Sequence, residues 1–159
     1  MYPSRVAECP YGGLCLVAKE DLPAGVVVEK FVGPLIPADA VRDEEARHII
    51  LWDDKSVMRP YTDARYANHS CEPNSYVNGQ MEIVTMLPIK NGEEITFSYN
   101  VVYGSENPGL WDHRWSFKCA CGAPNCQGLV NQYVKPDGTP CIVVESRPVV
   151  MKESLEIVR

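Results

Sequence analysis

Three cysteines fall within one short segment, Lys118-Cys119-Ala120-Cys121-Gly122-Ala123-Pro124-Asn125-Cys126. Thiolates at one- and four-residue spacings can wrap a single ion, and structural zinc takes four tetrahedral ligands. A fourth donor is therefore needed from elsewhere. Cys71 is the best candidate, because polar turn residues flank it in Asn68-His69-Ser70-Cys71-Glu72-Pro73-Asn74. A four-cysteine site is closed, so its metal is structural and ties 119–126 onto the 68–74 turn. Such sites supply about 10–16 kcal/mol of apparent binding energy in small peptides, enough to order a loop with no core of its own. Cys9, Cys15 and Cys141 fall outside the cluster and read as free, partly buried small hydrophobes.

Seven cysteines is an odd number, and Met1-Tyr2-Pro3-Ser4-Arg5 lacks the charged-then-apolar pattern of a signal peptide. A disulfide framework is not expected, and an intracellular setting is: nuclear in a eukaryote, cytoplasmic in a bacterium. With 159 residues and 45% hydrophobic content the chain can bury one core. It has no apolar run of the roughly 20 residues a membrane span needs. A net charge of −6 disfavours nucleic acid and suits a basic protein or peptide.

Strand signals dominate the chain. Short β-branched runs lie at Leu14 to Ala18, Val26 to Val32, Ile49 to Trp52, Ser56 to Met58, Gln80 to Leu87 and Glu94 to Phe97. Asn91-Gly92 marks a turn between the last two. One helix is expected over Asp39 to Ile49, with Asp39 as cap, Asp43, Glu44 and Glu45 early, and Arg47 and His48 late. Residues 101–118 read as an aromatic loop containing Tyr103, Trp111, Trp115 and Phe117. The tail from Leu129 alternates strand signals with a Pro136-Asp137-Gly138 turn. The fold class is mostly β, with many short strands and little helix.

Four segments in unbroken order carry a family resemblance. They are Gly13-Leu14-Cys15-Leu16-Val17-Ala18, Arg65-Tyr66-Ala67-Asn68-His69-Ser70-Cys71-Glu72-Pro73-Asn74, Gly92-Glu93-Glu94-Ile95-Thr96-Phe97-Ser98-Tyr99, and Cys119 to Gly128. Together they resemble the SET-domain protein lysine methyltransferases that carry a post-SET zinc motif. The resemblance implies a fold of several small sheets with a knot-like crossing. It implies a SET domain over 4–100 with an insert at about 39–64, a post-SET zinc lobe over 101–128 and a C-terminal extension over 129–159. The implied zinc ligands are Cys71, Cys119, Cys121 and Cys126.

The implied activity is methyl transfer from S-adenosylmethionine to a lysine amine of a protein such as a histone. Gly13, Leu14, Cys15, Arg65, Tyr66, Asn68, His69 and Phe117 take cofactor-binding roles by this resemblance. Tyr99 matches the active-site tyrosine, while Phe97 and Tyr66 line the substrate channel. Phe97 also stands where the family varies between Phe and Tyr, which implies multiple methylation. Either His48 or Trp52 is offered near the channel. A free lysine, with a pKa near 10.4, costs roughly 4–5 kcal/mol to deprotonate at neutral pH. Desolvation in a narrow channel and the cofactor's sulfonium both disfavour the ammonium. Proximity is then the main protein contribution, and His69 is not needed as a general base.

The chain departs from the pattern in three places. Cys15 replaces the second glycine of Gly-x-Gly, with Gly12-Gly13 as an alternative register. Ser98 replaces an Asp, and Thr62-Asp63-Ala64 replaces a Gly-Asn. The rival reading is a catalytically silent SET module, stabilised by zinc, that binds a peptide or partner. A recruiting partner protein is compatible with either reading.

Overall fold

The computed structural model describes residues 1–10, 12–51, 56–99, 101–102, 117–119, 121–126, 129–130, 133–134, 142–144 and 147–149. The first hairpin joins β1 (Ser4–Glu8) to β2 (Leu14–Ala18), antiparallel, from Ser4 opposite Ala18 to Glu8 opposite Leu14. β3 (Val27–Lys30), β8 (Ser75–Val77) and β9 (Glu82–Thr85) form a sheet in the order β3-β9-β8. A second sheet has the order β4-β6-β5, from Leu35–Pro37, Ser56–Met58 and Ile50–Leu51. These strands are short and irregularly ordered, so each sheet buries its apolar face against the others rather than against a helix layer.

The core is where these small sheets meet. Leu16, Val28, Ile83, Ile89 and Ile95 are fully buried there, with Phe31, Met58 and Phe97 around them. β9 is the central strand of its sheet and is buried along Ile83, Val84 and Thr85, with Ile83 in the core, while Glu82 pairs its backbone with Lys30 and accepts from the Asn78 amide. Gly33 has a different function. A Cβ there would collide with the Arg59 carbonyl oxygen, so the crossing of 32–34 with 59–61 requires glycine. Backbone bonds from Arg59 N–H to Pro34 O and Tyr61 N–H to Val32 O hold that crossing, both at 2.9 Å.

The helix expected over 39–49 is not formed. In its place stand two separate 3-10 turns, Ala38–Ala40 and Asp43–His48. Val41 and Arg42 between them are extended, with φ/ψ of −76/129° and −85/151°. Two demands break the helix here. Val41 is drawn into a buried position, and Glu45 is committed to tertiary partners. Its carboxylate accepts the Arg42 N–H at 2.8 Å and takes two bonds from the Arg59 guanidinium at 2.8 and 2.9 Å. Asp39 is inside the first turn and does not cap it. Asp43, Glu44 and Glu45 do occupy the first turn of the second. The guanidinium beside Glu45 holds its carboxyl down at about 2, against the opposing effect of burial.

Strands beyond the expected set also appear. β1, β4 and β8 were not marked by the sequence pattern, and neither was the pair formed by β7 (Asn68–His69) with β10 (Thr96–Phe97). That pair is parallel, with Asn68 opposite Thr96 and His69 opposite Phe97. Further along, β11 (Val101–Val102) pairs with β14 (Tyr133–Val134), and β12 (Phe117–Lys118) pairs with β13 (Leu129–Val130). β15 (Ile142–Val144) pairs with β16 (Arg147–Val149). The expected roles of Trp52, Tyr103, Trp111, Trp115 and Cys141 lie outside the described residues.

Candidate active site and cysteine cluster

The parallel pairing of β7 with β10 assembles the site. It sets Asn68 and His69 beside Thr96 and Phe97, and the chain then delivers Tyr99. His69 is 9% exposed. Its Nδ1 accepts the backbone N–H of Tyr99 at 2.9 Å, which leaves the ring proton on Nε2, 3.4 Å from Cys71 Sγ. Burial pushes the His69 pKa down to about 4, so the ring is neutral at physiological pH. The imidazole thus links Tyr99 to Cys71. Its ring also meets Tyr99 edge-on, with centroids 5.4 Å apart.

Tyr99 is fixed at both ends. Its hydroxyl donates to Ala67 O at 2.6 Å, and its ring lies 4.9 Å from the Phe97 ring. Phe97 is itself buried, edge-on to Phe31 at 5.7 Å. Ala67 and Phe31 were not singled out by the sequence. Tyr66 sits with its neighbours: Arg65 Nη2 donates to its hydroxyl at 2.9 Å, and the guanidinium carbon lies 4.7 Å from the ring centroid. His48 adds an edge contact to Tyr66 at 5.9 Å, and its Nδ1 lies 2.9 Å from Arg65 O. His48, one of the two channel candidates, thus stands beside Tyr66.

Asn68 joins this group to the first hairpin. Its Nδ2 lies 3.3 Å from Leu14 O and 3.1 Å from Glu94 Oε2. Glu94 was missed by sequence reasoning, since nothing in its position distinguishes it from Glu93. At the hairpin tip Gly12 and Gly13 both have positive φ, 104° and 76°, and among the described residues, chain neighbours aside, no atom lies within 4 Å of where either Cβ would stand. Leu14 is 45% exposed beside them. This open turn next to Asn68 fits a ligand that packs against backbone. Cys15 does not intrude on the turn. It is 1% exposed, lies in β2 opposite Ala7 and packs with Cys9. Burial, the Cys9 thiol and the Glu94 charge push its pKa up to about 12. Phe117 contributes backbone to β12, opposite Val130.

The four cysteines named from the sequence come together, their sulfurs all within 4.8 Å of one another. Cys119 Sγ is 3.9 Å from Cys71 Sγ and 3.6 Å from Cys126 Sγ. Thiolates about 2.3 Å from one tetrahedral zinc stand about 3.8 Å apart, so the tetrad has the right dimensions for that ion. Gly122, at φ 78°, turns the chain between Cys121 and Cys126. The Cys71 N–H donates to Cys121 Sγ at 3.4 Å. Burial raises the Cys121 pKa, but donors from Cys71 and Ala123 outweigh it and bring the thiol down to about 6. Burial pushes the Cys119 thiol up. Four thiols so close cannot all ionise without a cation among them.

The chain is 31% identical over 145 residues to the histone-lysine N-methyltransferase, H3 lysine-36 specific, of Debaryomyces hansenii, covering 76% of this chain and 18% of that protein. It is 29% identical over 155 residues to the protein of the same description from Saccharomyces cerevisiae, covering 85% and 20%. The chain therefore spans about a fifth of the length of these curated relatives. Among solved structures it resembles KRYPTONITE in complex with mCHH DNA, H3(1-15) peptide and SAH, with a TM-score of 0.58 and 22% identity, covering 82% of this chain and 30% of that one. The model of the SET domain matches residues 13–100, and the chain belongs to the SET domain family.

Proposed function

We propose that this chain transfers methyl groups from S-adenosylmethionine to the side-chain amine of lysine in a basic protein, with a histone as the first substrate to test. The observation that carries this reading is the meeting of Asn68, His69 and Tyr99 through the β7–β10 pairing, beside an open glycine turn. The histone-lysine methyltransferase relatives and the solved complex with an H3 peptide and SAH support it. S-adenosylmethionine supplies an electrophilic methyl group when bound. Gly13, Leu14, Cys15, Arg65, Tyr66, Asn68, His69 and Phe117 are the residues that would hold it. Residues 15 and 69 would do so through backbone, since the Cys15 side chain is buried against Cys9 and the His69 imidazole is engaged by Tyr99 and Cys71.

The chain's own residues then orient the amine. A tyrosine hydroxyl that gives its proton to Ala67 O presents its oxygen as an acceptor, so Tyr99 aims the amine rather than deprotonating it. Phe97 and Tyr66 wall the lysine channel and exclude water, which disfavours the ammonium. Zinc held by Cys71, Cys119, Cys121 and Cys126 closes the post-SET lobe, 101–128, over the SET domain, 4–100. The protein acts inside the cell, in the nucleus if the source is eukaryotic.

Labelled S-adenosylmethionine and mixed histones test the reading. Incorporation that falls at least about a hundredfold in Tyr99→Phe, with cofactor affinity retained, is the expected outcome. Cofactor binding with no transfer to any protein would favour the silent module instead. Cys15, the departure from Gly-x-Gly, is buried and packs with Cys9. Product peptides should carry more than one methyl per lysine, and Phe97→Tyr should lower that number. A strict monomethyl product in both would sink the channel assignment.

A further inference from the structure

We propose that Cys9, Cys15 and Glu94 form a second metal site, one that takes a thiophilic divalent cation such as zinc beneath the first hairpin. Two Sγ atoms and a carboxylate oxygen lie within 4.8 Å of one another. Zinc bound by sulfur at about 2.3 Å and by carboxylate oxygen at about 2.0–2.2 Å needs its donors about 3.4–3.8 Å apart. Small side-chain rotations close that difference. Three protein donors leave the fourth tetrahedral position to water or an added ligand.

The donors are held in place by backbone. The Cys9 N–H bonds to Gly13 O at 2.9 Å, and Cys9 O accepts the Gly12 N–H at 3.1 Å. Cys15 is locked in β2 opposite Ala7. Around Glu94, Ile95 N–H bonds to Leu16 O at 2.8 Å, and Asn74 Nδ2 donates to the Glu94 carbonyl at 2.8 Å. Asn68 completes the shell. Its Nδ2 lies 3.6 Å from Cys9 Sγ and 3.1 Å from Glu94 Oε2, so one amide addresses two of the three donor groups. Outer-shell donors of this kind steady ligands and raise metal affinity.

Two alternatives fit the geometry less well. Buried thiols used only as small hydrophobes have no need of a carboxylate within 4.8 Å of both sulfurs. A disulfide is opposed by register. Cys15 stands opposite Ala7, whereas Cys9 bonds to Gly13, so the two cysteines are diagonal neighbours. Diagonal positions are about 7–8 Å apart, with Cβ atoms somewhat closer, which is wider than the about 3.5–4.5 Å a disulfide prefers, and both cysteines are free thiols. A metal bridges the wider gap.

Zinc content of the full chain, by native mass spectrometry after exhaustive dialysis, tests the site. Wild type is expected to hold two equivalents. Cys9→Ser with Cys15→Ser should lose one and keep the other, while Cys119→Ser should show the complementary loss. Glu94→Gln keeps both thiols and the fold, and should weaken the second equivalent by more than about tenfold. A zinc count unchanged by the Cys9/Cys15 double variant would overturn the proposal. So would recovery of a Cys9–Cys15 disulfide by non-reducing peptide mapping. Wild type holding one equivalent that Cys119→Ser leaves in place, and the double variant removes, would uphold this site and break the reading of the Cys71 cluster.

Discussion

The β3-β9-β8 sheet and the 119–126 segment are held in opposite ways. The sheet contributes Val28 and Ile83 to a core shared with Leu16, Ile89 and Ile95, so its stability is spread over many contacts of similar size. In the described part of 119–126 only Cys119 is buried. Cys71 ties it to the rest of the chain at three points, giving Sγ to Cys119, N–H to Cys121 and O to the Asn125 amide. Distributed packing weakens by degrees. A ligand cluster is lost as a unit when one donor goes.

The largest effect should come from removing the zinc proposed for this cluster. Chelation, or Cys119→Ser, forfeits binding energy on the order of 10–16 kcal/mol. Limited proteolysis should then cut within 117–126 while the thermal midpoint of the core stays near its original value. A core midpoint that falls with the lobe would erase the distinction between the two regions. Ile83→Ala is the converse change and should cost about 2–5 kcal/mol in urea unfolding, without loss of zinc. Gly33→Ala forces a methyl against the Arg59 carbonyl and should cost about 1–3 kcal/mol.

Two smaller changes probe the connections. His69→Phe removes the acceptor of the Tyr99 N–H and should cost about 1–3 kcal/mol. It should also weaken S-adenosylmethionine binding in calorimetry, even with zinc retained; unchanged affinity would separate the cysteine cluster from the Tyr99 side of the site. Glu45 gives the smallest effect. Its carboxyl is held at about 2 in the fold against a reference of 4.5, so the Arg59 contact is fully present above about pH 4.5 and fades as pH falls toward 2. Arg59 is 40% exposed and screened, so the gain is small. The melting difference between wild type and Glu45→Gln should shrink over that window; a constant difference would mean the ion pair is not its source.

Legibility differed by region for physical reasons. The cysteine spacing is local, so three donors stood together in the sequence, and Cys71 was found from its polar surroundings. Strands rich in β-branched residues, such as Val27–Lys30 and Glu82–Thr85, announced themselves within a residue or two. Ser4–Glu8 did not, because its Arg, Ala and Glu have little β preference and its strand exists through pairing with β2. The helix expected over 39–49 failed for the same kind of reason. Burial of Val41 and the distant Arg59 overrode local propensity. At the site, Asn68, His69 and Tyr99 were legible through family resemblance. Glu94, Ala67 and the Cys9 neighbourhood were not, since their significance arises only from partners that folding brings across tens of residues.

Asn74 has a consequence of a different kind. Its side-chain amide donates to Glu94 O at 2.8 Å and accepts the Thr96 N–H at 3.0 Å. Those are the two groups a neighbouring strand would use, so one side chain stands in for a peptide unit along the edge of β10. Asn74 lies one residue before β8, so this pair of bonds ties the entry of β8 to β10 much as a rung of strand pairing would, although the two strands share no ladder. Asn74→Ala should loosen that joint and speed amide exchange at Thr96, while Ile83 in the neighbouring sheet stays protected.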